Sequence, residues 1–352
     1  MEDIGFSMIS RFKDVLVKPE APVLDAMKTI NFQPHGRQFV IVVDDEGKLL
    51  GTLTDGDVRR ALLSGQSLEG AVHLFMNCKP IYGLVTSTAA ELDDLLFSLS
   101  SANPFLPIVK DDMSLLDVKV QSERVKPDVC ALVLAGGFGK RLGKRTEKCP
   151  KPLLAVNGKP MLIHVLERLN SIEASRTFLA VHYLSEKIEN FLLDRPEFNF
   201  VSTLHESEPL GTAGAISLIP KIREKNLLVT NSDIITDLNY ALLLQFHTQG
   251  NFDVTIAASD HQVQIPFGVI KYDMNGEFLF IDEKPTVSNY VAAGVYCFKS
   301  HVCELIKLNE KIDMPELISK CKSKGMKIGV FPIHEQWQDF GRPEDFEPVS
   351  VK

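Results

Sequence analysis

Between Leu132 and Pro160 the chain reads LVLAGGFGKRLGKRTEKCPKPLLAVNGKP. Three kinds of phosphate-seeking group fall within this one stretch. Gly136, Gly137 and Gly139 offer backbone amides that can approach an anion closely, Arg141 offers a guanidinium fork, and Lys151 a point charge. A triphosphate needs all three, so the stretch reads as a nucleoside triphosphate site. The apolar LVLA that leads into it has the pattern of a buried strand.

Two common phosphate loops fail the test of spacing. A dinucleotide turn needs G-x-G-x-x-G, but Leu142 stands at the third position. A P-loop needs Ser or Thr after its Lys, but Lys140 is followed by Arg141. The sequence instead resembles the sugar-1-phosphate nucleotidyltransferases, in which G-G-x-G-x-R-L is followed by P-K-P-L. Here these are Gly136, Gly137, Gly139, Arg141 and Leu142, then Pro150, Lys151, Pro152 and Leu153.

That resemblance extends over residues 128–352 and implies roles for further residues. ESEPLGTAGAI, from Glu206, is similar to the family's base-reading turn, where Gly211 would let the backbone approach a nucleobase. Glu206 or Glu208 would accept from the two adjacent donors of guanine and repel the acceptors of uracil and thymine. Asp233, in NSDIITDL, and Asp339, in WQDFGRPEDF, would hold Mg²⁺. That ion favours one or two carboxylates plus substrate oxygens. Asp237 is the local competitor of Asp233. Gly268, in FGVIKYD, with Glu283 and Lys284, in IDEKP, and Gly294 would form the sugar-phosphate side. An exposed Glu-Lys pair is otherwise ordinary solvated surface. The chain departs from the family at Ala292-Ala293-Gly294, where Asn-Ala-Gly is common, so an amide that might touch the sugar is missing. His205 has no second ligand at metal spacing and reads as a packed or surface residue. Cys149 has basic neighbours that would lower its thiol pKa, yet reads as a bystander.

The reaction implied is NTP plus sugar 1-phosphate giving NDP-sugar and pyrophosphate, with Arg141 and Lys151 as the catalytic cations that neutralise phosphate charge. GTP is the expected nucleotide and glucosamine 1-phosphate the expected sugar. Mannose-1-phosphate guanylyl transfer, and uridylyl, thymidylyl or cytidylyl transfer, are the alternatives. A nucleotide-sensing module without catalysis is the reading of another class.

The elements that must carry these residues alternate. ALVLA, TFLAVHY, NLLVTNSD and DVTIAAS read as strands; PMLIHVLERL, TAGAISLIP and YALLLQFHTQ read as helices. GVIKYDMNGEFLFIDE reads as a hairpin turning at Asn275-Gly276. The expected class is α/β, a Rossmann-like, mostly parallel mixed sheet with the ligand at the carboxyl ends of its strands.

Residues 1–120 carry a faint repeat. A helix over Ala21–Ile30 and a strand from Phe39 recur as a helix over Thr88–Ser100 and a strand from Phe105, an offset of 66 from Phe39 to Phe105. Between the copies, strand LLGTL leads to Thr54 as a helix N-cap. Gly51, Thr54 and Asp57 resemble the signature of the cystathionine-β-synthase (CBS) domain pair, which implies a hydroxyl contact to phosphate from Thr54 and a ribose contact from Asp57. AMP, ADP or ATP is the expected ligand. The second copy reads MSLLDVKV and lacks the matching Thr and Asp, so at most one complete site per pair is expected. A linker is placed at 121–127, with the transferase over 128–352. A CBS pair fused ahead of such a transferase resembles the glucosamine-1-phosphate guanylyltransferases that feed legionaminic acid synthesis.

The bulk properties agree with this. The chain has 352 residues, 45% hydrophobic and 24% charged, with a net charge of −8 and no basic stripe for nucleic acid. Its six cysteines form no C-x-x-C pair, which suits a reducing cytoplasm. No apolar run reaches the roughly 18 residues of a membrane span. A homo-oligomer is expected.

Overall fold

The computed structural model describes residues 6–8, 12–32, 38–99, 104–121 and 128–346. The chain divides into two compact units, one of residues 1–126 and 248–250 and one of residues 127–247 and 251–352. The linker placed at 121–127 lies outside the described residues beyond Gln121.

The first unit is a repeat in detail. Strands β1 (Phe6–Met8) and β2 (Leu16–Val17) precede helix α1 (Val23–Phe32), β3 (Phe39–Val43), β4 (Leu49–Thr54) and helix α2 (Asp55–Leu63). Then come β5 (Gly83–Leu84), helix α3 (Ala89–Ser98), β6 (Phe105–Val109) and β7 (Leu115–Gln121). Val17 pairs with Val42 in parallel, and Gly83 with Ile108 in the same way. Both antiparallel pairs, β3–β4 and β6–β7, shift register at corresponding places, between Val42 and Val43 and between Ile108 and Val109. The two copies meet face to face: the rings of Phe39 and Phe105 stack with centroids 3.8 Å apart and planes 6° from parallel. Around them Ile41, Val43, Val109, Val118 and Val120 form one buried cluster. Neither copy alone could bury that surface.

The second unit is built on β8 (Val129–Leu134), whose sequence VCALVL is almost wholly buried. Small strands β9 (Ala155–Val156) and β10 (Lys159–Pro160) lead to α4 (Met161–Ser171), β11 (Arg176–Val181), α5 (Ser185–Leu193) and β12 (Val201–His205). The short helix α6 (Gly211–Gly214) precedes β13 (Asn226–Asn231), β14 (Ile234–Thr236) and α7 (Tyr240–Gln249). Strands β15 (Val254–Gln264), β16 (Gly268–Tyr272), β17 (Phe278–Glu283) and β18 (Thr286–Lys299) follow. Helices α8 (Ser300–Cys303) and α9 (Met314–Ser323) and strands β19 (Ile328–Ile333) and β20 (Trp337–Asp339) complete the unit.

Seven strands form the main sheet in the order β12-β11-β8-β13-β18-β15-β19, with β18 antiparallel to both neighbours. Alternate β8 residues enter different cores. Val129, Ala131 and Val133 pack with Leu162, Leu166 and Leu243 of α4 and α7. Cys130 and Leu132 pack with Ile216, Val302 and Leu317 on the other face. A strand covered on both faces is continuously apolar rather than alternating. Each such Val or Leu stabilises the fold by about 1.5–3 kcal/mol.

The expected strands and the helices at 161–171 and 240–249 are present, as is the hairpin turning at Gly276, whose φ is +83°. The helix expected over TAGAISLIP is not continuous. It runs as α6 and then as a 3₁₀ turn, Ala215–Leu218. Gly214 explains the break: a Cβ there would lie 2.5 Å from the Glu310 carbonyl, so the segment is shaped by close backbone packing rather than by helix propensity.

Candidate active site

Four segments end at one edge of the main sheet. Leu134 and Asn231 are register partners at the carboxyl ends of β8 and β13. The Ala135 N–H donates to the Ala180 carbonyl at 2.9 Å, the Glu206 N–H to Val181 at 2.9 Å, and the Ser232 N–H to Leu134 at 3.1 Å. The glycine loop, the turn after β12 and the loop after β13 are thereby gathered around a cleft of about 270 Å³. Gly136, Gly137, Phe138, Lys151, Glu206, Gly211, Thr212, Asn231 and Asp233 are in its wall.

Each loop glycine has its own reason. Gly139 takes the left-handed conformation, φ +63°, and a Cβ on it would lie 2.7 Å from Thr146 Cγ2. Thr146 in turn donates its hydroxyl to the Gly139 carbonyl at 3.0 Å, closing the loop. A Cβ on Gly136 would lie 2.6 Å from Glu206 Oε1, whereas one on Gly137 would meet nothing within 4 Å. Gly137 is therefore the open side of the loop. Gly211 has φ +80°, and its Cβ would strike the Ile312 carbonyl at 2.6 Å, so this glycine answers to packing as well as to the cleft.

Lys151 and Asp233 are ion-paired within the cleft. Asp233 is followed by β14, which pairs with β20 so that Ile234 stands opposite Asp339. The Phe340 N–H donates to the Asp233 carbonyl at 3.1 Å. The two acids, 106 positions apart in sequence, are thus neighbours across a two-stranded ribbon. The Asp339 residue reaches solvent, but its carboxyl group is crowded by protein. That burial, and then the charge of Asp233, push its pKa above the ordinary value; Lys151 and Arg141 act in the opposite direction. Arg141 itself is exposed, on the 3₁₀ segment Lys140–Thr146. Asp237 is drawn off by an ion pair with Arg168.

Among the described residues no three His, Cys, Asp or Glu side chains form a metal cluster. Two neighbouring acids, one raised in pKa by burial and then by the charge of the other, fit a hard cation that takes its remaining ligands from phosphate and water.

Glu206 lies on the cleft wall. Burial raises its pKa, against a bond from the Leu210 N–H to Oε2 at 3.0 Å and the influence of His182. Glu208 is not among the lining residues. Gly268 and Glu283 are register partners at the root of the β16–β17 hairpin, and Lys284, with φ +50°, follows. These three are not in the cleft wall. Gly294, φ +70°, is behind it: a Cβ there would lie 2.3 Å from Ile234 Cδ1 and 2.7 Å from Asn231 Nδ2. In the first unit Thr54 and Asp57 form a capping box, the Thr54 hydroxyl donating to Asp57 Oδ2 at 2.6 Å, and Asp57 also pairs with Arg60. His205 is exposed and bonded to Glu189 at 2.8 Å. The Cys149 thiol departs from expectation, because burial pushes its pKa up more than Lys187 lowers it.

Sequence reasoning missed the residues that hold the site in place. Asp313 Oδ1 accepts from the Thr212 N–H at 2.9 Å and from its hydroxyl at 3.2 Å. Met314 N–H donates to Thr212 Oγ1 at 2.7 Å. An Asp before Met-Pro-Glu looks like a helix N-cap, and no local signal sets it apart. Trp337 Nε1 donates to the Ala293 carbonyl at 3.0 Å, tying β20 to β18 beside Gly294. Phe138 sits 5.5 Å from the His182 ring and 5.4 Å from Tyr183, an aromatic wall of the cleft.

Comparison with known proteins agrees with this geometry. A family model described as nucleotidyl transferase matches residues 130–352, and one described as CBS domain matches residues 3–64. The chain is 36% identical over 227 residues to the mannose-1-phosphate guanylyltransferase catalytic subunit beta of Drosophila melanogaster, covering 61% of this chain and 60% of that one. It is 34% identical over 228 residues to the mannose-1-phosphate guanyltransferase of Yarrowia lipolytica, covering 61% of each. The chain thus spans about three fifths of the length of these relatives. The structure of a Bacillus anthracis protein named as a putative glucose-1-phosphate thymidylyltransferase shares the fold at TM-score 0.50 and 21% identity, over 62% of this chain and 92% of that one. Among the described residues, no helix is long and apolar enough to cross a membrane. The chain belongs to the nucleotidyl transferase family, with a CBS domain ahead of the transferase region.

Proposed function

We propose that this chain transfers a guanylyl group from GTP to a sugar 1-phosphate, releasing pyrophosphate. The observation that carries the reading is the Lys151–Asp233 ion pair in the wall of the cleft beneath the glycine loop, with Asp339, outside that wall, opposite Ile234 on the adjoining ribbon. A sugar phosphate oxygen attacks the α-phosphorus in line, the new P–O bond forms, and the bond to the β-phosphate breaks. The nucleophile is already anionic, so the task is to bring two anions together and spread the charge. Gly136 and Gly137 give backbone amides to the phosphates, Lys151 meets charge on the α-phosphoryl group, and Arg141 meets the departing pyrophosphate. Asp233 and Asp339 would hold Mg²⁺, which when bound neutralises phosphoryl oxygens. Glu206 would select guanine. Gly268, Glu283 and Lys284 would receive the sugar phosphate.

For the sugar, the CBS domain ahead of the transferase supports glucosamine 1-phosphate. A second reading, mannose 1-phosphate, is favoured by the names of the relatives at 34–36% identity. An adenine nucleotide at Thr54 and Asp57 would regulate the enzyme. The deciding experiment sets four NTPs against both sugar phosphates and scores pyrophosphate release. Turnover with UTP and none with GTP would remove the guanine assignment. Calorimetry of the full chain with AMP, ADP and ATP, away from GTP, tests the regulatory part.

A further inference from the structure

The β16–β17 hairpin carries an apolar face that nothing in the described chain covers. Ile270 stands opposite Ile281, and Tyr272 opposite Phe278, with Leu279 in the bulge between these pairs. These side chains are 59%, 54%, 68%, 63% and 58% exposed in that order, and Met274 at the tip is fully exposed. The pairing places them on one side of the ribbon, because direct cross-strand partners share a face. The opposite side is mixed: Lys271 stands opposite Phe280, itself 54% exposed, and Val269 opposite Asp282. Two-stranded ribbons are at best marginally stable alone and need a third layer over an apolar face.

We infer that a second copy of this chain covers that face, ribbon against ribbon, in a two-fold contact. The area fits. At about 150–250 Å² for each large side chain, the six expose on the order of 800 Å². One partner of a standard interface contributes about 800 Å². The composition fits as well: isoleucines and aromatics form the centre, while Asp273 and Glu277, in the turn, belong to the rim. A two-fold contact sets the same patch against itself, and each copy then supplies the apolar layer that the other lacks. The acidic rim, Asp273 and Glu277, opposes an anionic lipid surface.

Sedimentation velocity of the full chain tests this with the double variant Tyr272→Glu/Phe278→Glu. Both positions are exposed, so folding is not at stake, and far-UV circular dichroism checks it. The double variant is expected at half the wild-type mass or less at the same concentration, even if the first unit also associates. Equal masses would overturn the proposal, whether both are monomers or both larger. So would a matching loss of mass in Lys271→Glu, on the other face. Wild type that stays at the variant's mass but co-sediments with phosphatidylglycerol vesicles would assign the face to a membrane instead.

Discussion

Lys151 and Asp233 form an ion pair on the cleft wall, across 82 positions of sequence, with 14% and 23% of their side chains exposed. Asp339 is the near neighbour that has no such ion pair among the described residues, and its pKa is raised by burial first and by the charge of Asp233 second. The three groups therefore act as a set. Asp233→Asn is expected to abolish Mg²⁺-dependent turnover while leaving the fold intact. Lys151→Ala is expected to lower kcat by about 10²–10³, the effect of removing one transition-state donor. Pyrophosphate release and circular dichroism read these out. An active Asp233→Asn enzyme would remove the metal assignment.

The chain's sole tryptophan stands two residues before Asp339 and is fixed by its bond to Ala293. Placing a divalent charge beside Asp339 should change the field at that indole. Titration with Mg²⁺ is expected to shift Trp337 fluorescence in the wild type and to leave it unmoved in Asp339→Asn. This measurement needs no turnover, so it separates loss of metal from loss of catalysis. A wild-type spectrum indifferent to Mg²⁺ at concentrations that support turnover would count against Asp339 as a ligand.

Asp313 makes a different kind of contribution. Its carboxylate holds Thr212, and the Leu210 carbonyl accepts from Ile312 N–H at 3.0 Å. The turn carrying Gly211 is thus fastened to the segment before α9. Asp313→Ala should loosen that turn, raising KM for the nucleotide on the order of tenfold, the loss of one or two hydrogen bonds to a charged group, with kcat little changed. Asp313→Asn keeps one acceptor and should recover much of the loss. Equal effects on kcat and KM in both variants would point to a general weakening of the fold.

Much of this was legible in the sequence because the signals were local. The offset from Phe39 to Phe105 foretold a repeat, and α1 and α3, Val23–Phe32 and Ala89–Ser98, start and end 66 positions apart. The run VCALVL announced a strand buried on both faces. The glycine loop could be named from its own residues, and the two acids from the family resemblance alone. What stayed hidden was long-range and made of common residues. Asp313 reads as a cap until its partner 101 positions away is seen. Gly214 breaks a helix because a distant carbonyl presses on it. The roots of the β16–β17 hairpin were named without any sign that they would stand outside the cleft wall.

The stability of the second unit should respond to acid through one ion pair, of buried Glu224 with partly exposed Arg176. Arg176, at the start of β11, donates from Nε and Nη2 to the two oxygens of Glu224 at 2.8 and 2.7 Å. Its Nη1 and Nη2 also donate to the carbonyls of Pro220 and Lys221, both at 3.1 Å. Glu224 precedes β13, so the pair links the strands on either side of β8. The bidentate bond from Arg176 holds the Glu224 pKa down, at about 2 against an ordinary 4.5. Because the folded form has the lower pKa, the unfolded chain binds the proton first. The pair's contribution is complete above about pH 4.5 and is lost as the pH falls toward 2. A depression of this size corresponds to on the order of 3 kcal/mol. Glu224→Gln is therefore expected to be less stable than wild type by about 1–3 kcal/mol at pH 7 and to converge with it near pH 2. Urea unfolding across that range provides the comparison, and a difference that stays constant with pH would assign the stability to packing around Glu224 rather than to its charge.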